Sequence, residues 1–505
     1  MADGETALDL LVVGGGINGA GIACDAAGRG LSVALVEQDD LAAATSSASS
    51  KLIHGGLRYL EQFEFRLVRE ALAEREVLLG KAPHIIRPLR FVLPRRRDMR
   101  PAWMLRLGLF LYDHLARRDR LPGSCGLDLG RDPAGAPLKP EFRRGFAYYD
   151  CRVDDARLVV LNAMQAAEKG ARVLTRHRLV RARRSDGVWR AEVEDRRTNA
   201  TLTLAARALV NAAGPWVDHV LSDVLGLAVG RHVRLVKGSH IVVPKLHDGD
   251  DAYILQHRDG RVTFVLPYEG GYSLIGTTDL GFDGDPAGVA PSAEEVAYLV
   301  EAVHHYFRAP VDLTDVVWSY AGVRPLYDDR EADLSAVTRD YVLDLDGDRA
   351  RPPALSVFGG KITTYRRLAE EALELLAPFF PGLGPAWTAG STLPGGDLPV
   401  GGLDALVAAL AGSYPRLPAD YLSALARRHG TLAGAVLADA RTEADLGRDF
   451  GAGLRAREID YMRSNEWAKT AADVLWRRSK CGLHMAPEAR AAVEAYLAGG
   501  AATPG

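Results

Sequence analysis

Three glycines near the start of the chain could bring backbone close to a phosphorylated ligand. Gly14, Gly16 and Gly19 form a GxGxxG pattern directly after the apolar run 8–13. Glycines permit the tight turn and the close approach to a pyrophosphate, and a helix starting here presents amide donors and partial positive charge. Glu37 ends a second apolar run, where its carboxylate can accept hydrogen bonds from a ribose. The pattern predicts a dinucleotide site; the alternative is a glycine turn used only for packing.

Two later segments could hold the other half of a long cofactor. The stretch 45–51, TSSASSK, begins eight residues past Glu37, and its hydroxyl groups suit a second phosphate. NAAGP at 211–215 ends a predicted strand with a glycine, and Gly359, Gly360 and Lys361 precede a predicted helix. The start of that helix can stabilise negative charge on a reduced flavin. These features favour FAD over NAD, although 45–51 also reads as a solvated polar loop.

The elements that must position these groups follow from the hydrophobic pattern. Apolar runs at 8–13 and 31–36 on either side of small residues predict strand, helix, strand. Continuous apolar strands belong to a sheet covered on both faces, which implies a parallel α/β core. Alternating runs within 173–210 predict a meander, and those within 239–275, followed by a helix at 294–305, predict an α+β substrate domain.

Three domains are expected from this organisation. The FAD-binding domain is discontinuous and the substrate domain is interleaved with it, while the chain after the glycine- and proline-rich stretch 394–402 reads as helices. The predicted ranges are 1–80, 150–228 and 354–392 for the FAD-binding domain, 81–149 and 229–353 for the substrate domain, and 393–505 for the helical domain.

Size and charge exclude several classes of protein. The 505 residues exceed a usual single core. The 62 basic and 65 acidic side chains leave a net charge of -3, which gives no global field for binding nucleic acid. Four scattered cysteines form no metal-ligand spacing, so we expect no metal site and a reducing cytoplasm. Residues 1–9 lack the basic and apolar regions of a secretory signal, so we expect no export, and no run approaches the roughly 18 apolar residues of a membrane span.

A series of motifs, in order and spacing, resembles the FAD-dependent glycerol-3-phosphate dehydrogenases along nearly the whole chain. They are GGGINGAGIA, TSSASSKLIHGGLRYLE, RVDDARLV, NAAGPWV, KGSHIVVP, IGTTD, GVRPL, TRDY and FGGKITTYR. The segment YMRSNEWAKTAADVLWRRSKCGL is similar to that family's C-terminal domain. NAAGP stands where NATGP is common in the family, a departure that removes no group the chemistry needs.

The resemblance implies a fold, a cofactor and a reaction. The fold is a Rossmann-like FAD-binding domain of the glutathione reductase and D-amino-acid oxidase type, with a substrate domain built on an antiparallel sheet and a C-terminal helical domain. The reaction is oxidation of sn-glycerol 3-phosphate to dihydroxyacetone phosphate by hydride transfer from C2 to flavin N5, with electrons passed to ubiquinone or menaquinone. The flavin is expected to be non-covalent, although His54 lies where some related amine-oxidising flavoproteins tether it. The residues expected to contact FAD are Gly14, Gly15, Gly16, Asn18, Gly19, Glu37, Thr45, Ser46, Ser47, Ser49, Lys51, Leu52, Leu179, Gly214, Trp216, Gly360, Lys361, Ile362 and Thr363.

The implied reaction also needs a clamp for the substrate phosphate, which guanidinium forks and an ammonium provide best. Most arginines of this chain must be surface charges, and only a few lie inside the family motifs. Those are Arg58 in GGLRY, Arg324 in GVRP and Arg339 in TRDY, together with Lys361 in GGK. Tyr59 and Thr277 are expected hydroxyl partners of the substrate oxygens, and both could equally be packing residues.

A proton acceptor is needed for the substrate hydroxyl group. His240 in KGSH is the predicted base, because imidazole titrates near working pH whereas guanidinium keeps its proton. Arg324 would then stabilise the developing alkoxide or the phosphate. The alternative reading of His240 is a structural histidine bonded in the core.

A quinone acceptor would require the enzyme to lie on a membrane. Apolar residues between Trp103 and Tyr112 stand within the arginine-flanked segment 95–120, a pattern typical of an interfacial helix, with a buried helix as the alternative. We therefore expect a cytoplasmic protein bound peripherally to the cytoplasmic face of the inner membrane. The C-terminal helices could cap the fold or mediate a homodimer.

Three rival functions remain open at this point. A soluble glycerophosphate oxidase would use oxygen in place of quinone. An amino-acid or amine oxidase is poorly matched by the cationic set, because a small amino acid has no dianion to clamp. A non-catalytic flavin-binding sensor is disfavoured because His240, Arg324 and Lys361 are all retained.

Overall fold

A computed structural model of the protein describes residues 7–96, 99–257, 261–328, 340–348 and 350–499. Its strands, in chain order, are β1 (Leu8–Val13), β2 (Val33–Glu37), β3 (Leu52–Ile53), β4 (Ile86–Arg95), β5 (Cys125–Asp128), β6 (Arg144–Val153), β7 (Arg172–Thr175), β8 (His177–Ser185), β9 (Val188–Asp195), β10 (Thr201–Asn211), β11 (Val233–Pro244), β12 (Ala252–Gln256), β13 (Val262–Tyr268), β14 (Tyr272–Gly276), β15 (Leu280–Gly281), β16 (Trp318–Tyr327), β17 (Val342–Asp348) and β18 (Arg351–Phe358). Its helices are α1 (Ile17–Gly28), α2 (Phe65–Lys81), α3 (Ala102–His114), α4 (Asp155–Glu168), α5 (Val217–His219), α6 (Ala293–Tyr306), α7 (Tyr365–Leu376), α8 (Gly402–Ser413), α9 (Ala419–His429), α10 (Ala433–Leu437), α11 (Ala456–Asn465) and α12 (Pro487–Gly499).

The first sheet contains the predicted strand, helix, strand unit. Its strand order is β17-β18-β10-β1-β2-β7, and β9 also pairs with β10 and with β8. The central pairs are parallel, as the continuous apolar runs predict. One apolar cluster packs α1, α4 and α7 on one face and includes Val12, Ala20 and Leu368. A second cluster, which includes Trp189 and Val217, covers the other face.

The second sheet confirms the predicted α+β arrangement. Its order is β15-β11-β14-β13-β12-β4-β6-β3, with β16 paired to β11 and β5 paired to β6. Most pairs are antiparallel, and β12 with β4 is the parallel one. On one face, α6 packs through Leu299 and Val303 against Ile241 and Val243 of β11. The predicted helix at 294–305 therefore lies where the pattern placed it.

The C-terminal helices α8 to α12 form two apolar clusters of their own. They are joined to the first domain by buried ion pairs. Arg157 of α4 lies 2.5 Å from Glu466, and Arg478 lies 2.7 Å from Asp40, which follows β2. Because removing one partner of a buried pair leaves an uncompensated buried charge, we expect single substitutions here to be strongly destabilising.

The predicted domain ranges do not follow sheet membership at every point. β17 was assigned to the substrate domain but pairs with β18 in the first sheet. β3 was assigned to the FAD-binding domain but pairs with β6 in the second sheet. The boundary between 149 and 150 falls within β6 itself. Strand pairing between distant segments decides membership of a sheet, and the local pattern does not contain it.

Acid should destabilise the C-terminal helices through Glu458. This buried carboxylate of α11 accepts hydrogen bonds from Arg428 and His429. Burial by itself raises its pKa, but Arg428 and His429 outweigh burial and lower the pKa to about 2. Because the pKa is lower in the folded state, the ionised carboxylate stabilises the fold above the unfolded pKa near 4.5. This stabilisation is lost as the pH falls towards 2. We expect the free energy of unfolding to drop by on the order of 3 kcal/mol in this window. Urea melts should show it, with a smaller pH dependence in Glu458→Gln; equal pH slopes for both proteins would contradict it.

Candidate active site

A single cavity of about 1490 Å³ runs from the β1–α1 turn to the second sheet. Its walls come from the carboxyl ends of β1 and β2, the loop 42–63, the turns at 212–216 and 359–363, and one face of β16. Ligands of open α/β sheets bind at the carboxyl ends of the strands, and this cavity occupies that place. It is the space in which the predicted cofactor and substrate groups meet.

The glycine turn at one end has the close backbone contacts that the motif predicts. Gly14 has φ +109°, and a Cβ atom there would lie 2.4 Å from the carbonyl oxygen of Ala212. A Cβ atom at Gly19 would lie 1.9 Å from the carbonyl oxygen of Gly14, so this position packs helix against turn and does not line the cavity. Gly15 donates its amide to Glu37, whereas Gly16 faces the cavity.

Glu37 is held at the end of β2 as a hydrogen-bond acceptor. The amides of Gly15 and Asp39 donate to its two carboxylate oxygens at 2.6 and 2.7 Å. Burial raises its pKa to about 7, against the lowering effect of these two amides. The side chain lines the cavity, so its carboxylate can accept further hydrogen bonds from a bound ligand, such as those from ribose hydroxyl groups.

The turn before α7 forms the opposite wall of the cofactor end. Gly359 and Gly360 have φ +80° and +99°, and a Cβ atom at Gly360 would lie 2.8 Å from the amide nitrogen of Asn18. Asn18 donates that nitrogen to Gly359, while its buried oxygen has no hydrogen-bond partner among the described residues. An unpartnered buried acceptor beside bare backbone is the environment of a bound polar ligand. These residues fit an FAD molecule, as do Leu52, Leu179, Gly214, Trp216, Ile362 and Thr363, all of which line the cavity.

Different residues of the hydroxyl-rich loop line the cavity and hold the loop on the rest of the protein. Thr45, Ser46 and Ser47 line the cavity, and Ser46 Oγ accepts the amide of Ile17 at the start of α1. Ser49 lines it too, but its hydroxyl donates to Asp155 of α4 at 2.7 Å.

The side chain of Lys51 lies away from the cavity, although Lys51 was predicted to contact the cofactor; Gly15 and Gly19 of the same predicted set do not line the cavity either. The Lys51 ammonium lies 2.9 Å from both carboxylate oxygens of Asp155, and Lys51 is not among the residues that line the cavity. The ion pair with Asp155, 104 positions away in the sequence, directs the Lys51 side chain away from the cavity. Lys51 and Ser49 therefore anchor the loop on α4.

At the far end of the cavity, His240 lies on β11 and is only 2% exposed. Its Nε2 atom lies 2.9 Å from the hydroxyl of Ser50, and its ring stacks on Tyr320 with 4.9 Å between centroids. Burial, Arg324 and Lys51 hold its pKa well below the usual value, so the ring is neutral near pH 7. A neutral imidazole is the form that can accept a proton.

Three of the predicted cationic groups lie on the wall of the same cavity, each with different surroundings. Arg324 of β16 pairs with Asp279 and donates to Thr277 Oγ1 at 2.8 Å. Lys361 Nζ lies 3.9 Å from the centroid of the Tyr59 ring. Arg58 lines the same cavity, where it forms no ion pair with any of the residues described. Arg339 lies outside the described residues.

A second imidazole, that of His54, also lines the cavity. Its backbone amide donates to Thr363 Oγ1 at 3.2 Å, which places it beside the turn before α7. Burial and then Lys361 lower its pKa to about 4, so it too is neutral near pH 7. His54 is therefore a candidate proton acceptor besides His240, and it was not predicted as one.

Several lining residues were missed by the sequence analysis. Ser50 belongs to the quoted motif TSSASSK, whose hydroxyl content was the available signal. Asp279 and Tyr320 contact predicted residues across strands. Trp476 and Arg477 come from the C-terminal helices, and Trp476 stacks on Trp318 at 4.8 Å. No local pattern indicates that a residue so late in the chain reaches this cavity.

The surface helix α3 forms part of the cavity mouth. In α3 only Leu109 and Tyr112 are buried, whereas Trp103, Leu107 and Phe110 are 69%, 51% and 55% exposed. The reading of this segment as an ordinary buried helix is therefore wrong. Among the described residues, no helix combines the length and the apolar character needed to cross a bilayer, and no cluster of potential metal ligands is found.

Comparison with known families agrees with this geometry. Residues 9–366 match the family described as "FAD dependent oxidoreductase", and residues 386–499 match the "C-terminal domain of alpha-glycerophosphate oxidase". The chain belongs to the FAD-dependent oxidoreductase family, and it is an enzyme that uses FAD.

Individual relatives place the resemblance more narrowly. The chain is 57% identical to "Glycerol-3-phosphate dehydrogenase" of Pseudomonas aeruginosa, covering 97% of this chain and 94% of that protein. It is 53% identical to "D-erythritol 1-phosphate dehydrogenase" of Brucella abortus, covering 97% and 98%. A solved structure of a glycerol-3-phosphate dehydrogenase from Bacillus halodurans complexed with FAD matches with a TM-score of 0.73 at 28% identity, covering 98% of this chain and 94% of that one.

Proposed function

We propose that this enzyme oxidises sn-glycerol 3-phosphate to dihydroxyacetone phosphate and passes the electrons to a membrane quinone. The observation that carries the proposal is the shared cavity, whose wall includes the glycine turn, Glu37, a neutral histidine and three cationic side chains. A phosphorylated polyol offers a dianion for the cations and a carbinol for the histidine. The names of the relatives support the same substrate class.

The cationic groups bind different parts of the substrate. Arg58 is the cavity guanidinium with no carboxylate partner in the described chain, so it is the natural ligand of the phosphate dianion. Lys361, over the ring of the neighbouring Tyr59, lines the same cavity and adds an ammonium. Arg339 belongs to this clamp by the family motif. Arg324 is already partly neutralised by Asp279 and donates to Thr277, which suits it to stabilising the substrate oxygen as charge develops.

The chemistry joins these groups to the cofactor. Bound FAD supplies an acceptor at N5 for the hydride from C2 of the substrate. His240 takes the hydroxyl proton, Arg324 and Thr277 hold the oxygen, and the phosphate clamp fixes the distance between carbinol and ring. Burial of His240 excludes water from the step.

D-Erythritol 1-phosphate is a second candidate substrate, because the relatives named for the two substrates are 53% and 57% identical to this chain. Steady-state assays with a dye acceptor should compare sn-glycerol 3-phosphate, D-erythritol 1-phosphate and unphosphorylated glycerol. We expect the highest kcat/KM for sn-glycerol 3-phosphate and very little turnover of glycerol. Equal activity on glycerol would refute a phosphate clamp. A higher kcat/KM for D-erythritol 1-phosphate would show that this compound is the preferred substrate.

The electron acceptor is tested separately. A soluble glycerophosphate oxidase would produce hydrogen peroxide in proportion to substrate consumed, with or without quinone. The proposed dehydrogenase should instead reduce a short-chain ubiquinone or menaquinone analogue with little peroxide. Stoichiometric peroxide in the presence of quinone would favour the oxidase.

The exposed apolar face of α3 supports attachment to the cytoplasmic surface of the cell membrane. Replacing Trp103, Leu107 and Phe110 with serine removes three exposed apolar side chains beside Arg106. Because each buried apolar side chain contributes about 1.5–3 kcal/mol, we expect vesicle binding to weaken at least roughly tenfold.

A matched control for the α3 variant replaces Leu313 and Val400, which are also exposed apolar residues but lie outside the cavity mouth. Sedimentation with anionic vesicles measures both variants, and circular dichroism checks that they remain folded. Unchanged binding by the folded α3 variant, or equal loss in the control, would contradict attachment through α3.

A further inference from the structure

The imidazole of His240 lies flat between two neighbouring strands. Its partner on β14 is Gly276, where a Cβ atom would lie 2.1 Å from His240 Cδ2, so only glycine leaves room for the ring. Its partner on β16 is Tyr320, whose ring is nearly parallel to it, at 14°. The strands therefore fix the plane of the imidazole.

The two ring nitrogens have different surroundings. Nδ1 is buried and has no hydrogen-bond partner within the described residues. Nε2 lies 2.9 Å from Ser50 Oγ. Since Ser50 lines the cavity and Nδ1 is sealed from solvent, a ligand in the cavity reaches the basic ring through Nε2 and the hydroxyl beside it.

The position of Ser50 is itself fixed from both sides of the loop. Ser49 Oγ and Lys51 Nζ bind Asp155 at 2.7 and 2.9 Å, and the hydroxyl of Tyr320 donates to the Ser49 carbonyl at 2.8 Å. The segment 49–51 thus holds both the stacked Tyr320 ring and the Ser50 hydroxyl in place. A group held this closely is suited to a directional proton transfer.

We propose that Ser50 relays the substrate's hydroxyl proton to His240; this rests on the proposed function. The carbinol O–H bond breaks as a new bond forms between that proton and Ser50 Oγ. The original Oγ–H bond breaks as an Nε2–H bond forms on His240. Ser50 ends neutral, His240 becomes imidazolium, and the two electrons of the C2–H bond leave with the hydride that FAD accepts.

The charges around the ring make this transfer dependent on substrate. Arg324 and Lys51 face the imidazole, and with burial they keep its pKa low. A phosphate dianion bound in the same cavity offsets part of that positive field, and this raises the proton affinity of the ring in the complex. The relay therefore has a stronger terminal base when substrate is present than when it is absent.

The test is the rate constant of anaerobic flavin reduction in the full-length FAD-loaded protein. We expect Ser50→Ala to lower it at least about tenfold with little change in the dissociation constant of sn-glycerol 3-phosphate. Ser50→Thr keeps the hydroxyl and should stay within about threefold of wild type. Ser185→Ala, far from the cavity, serves as the matched control.

A double-mutant cycle separates a relay from simple packing. If Ser50 acts through His240, the variant Ser50→Ala/His240→Asn should be no slower than His240→Asn alone. Additive losses, an Ser50→Ala rate within twofold of wild type, or loss of bound FAD in Ser50→Ala would overturn the relay while leaving the proposed substrate intact. Failure of the wild-type flavin to be reduced at all would instead overturn the proposed function, and the relay with it.

Discussion

His240→Asn is expected to slow flavin reduction by sn-glycerol 3-phosphate at least about 100-fold, with FAD still bound. Positioned general bases contribute typically 10²–10⁴-fold to a rate. Asparagine keeps a polar group near Ser50 but cannot take up a proton at working pH. Stopped-flow absorbance at saturating substrate measures the change directly.

His54→Asn is the matched comparison, because His54 is another imidazole on the cavity wall whose pKa is lowered. We expect a smaller loss from it. A 100-fold loss in His54→Asn together with a small loss in His240→Asn would transfer the role of base to His54.

The pH dependence of kcat/KM gives independent evidence about the base. The lowered pKa of His240 leaves the free enzyme in its neutral, active form well below pH 6.5. We therefore expect no loss of kcat/KM attributable to this group between pH 8 and pH 6.5, since kcat/KM reports the free enzyme.

The second large effect is expected for Arg58→Met. Methionine retains the apolar stem but removes the charge-assisted hydrogen bonds to phosphate, each worth about 1.5–3 kcal/mol. We expect kcat/KM for sn-glycerol 3-phosphate to fall roughly 10- to 100-fold, mostly through KM, while the trace activity on glycerol stays the same.

Arg66→Met provides the control, because Arg66 is exposed and lies outside the cavity. Its kinetic constants should match those of wild type. If Arg58→Met lost activity on glycerol and on glycerol 3-phosphate equally, Arg58 would be supporting the fold of the loop and would not be the phosphate ligand.

The predictions for the cofactor end of the site depend on local motifs. The turn at Gly14 and Gly19 and the acceptor at Glu37 depend on contacts within the β1–α1–β2 unit, which spacing and hydrophobic pattern describe. The fold class, the antiparallel second sheet and the helical C-terminal region could also be predicted, because strands and helices differ in the period of their hydrophobic residues. FAD as the cofactor followed from motifs and is confirmed by the family match.

Contacts between distant segments could not be predicted in the same way. Lys51 was assigned to the cofactor because it ends a hydroxyl-rich loop, but Asp155 captures its ammonium. The contact of Ser50 with His240 spans 190 positions, and Trp476 reaches the cavity from the last part of the chain. β17 was assigned to the substrate domain although it pairs with β18 of the first sheet, a pairing that no local pattern indicates.

The central claim, that a phosphorylated polyol gives up its carbinol hydride beside FAD, is tested most directly by anaerobic titration of the purified yellow protein. sn-Glycerol 3-phosphate should bleach the flavin absorbance in full, and one dihydroxyacetone phosphate should appear for each flavin reduced. A flavin that keeps its oxidised spectrum with saturating glycerol 3-phosphate, yet is bleached by dithionite, would contradict the account.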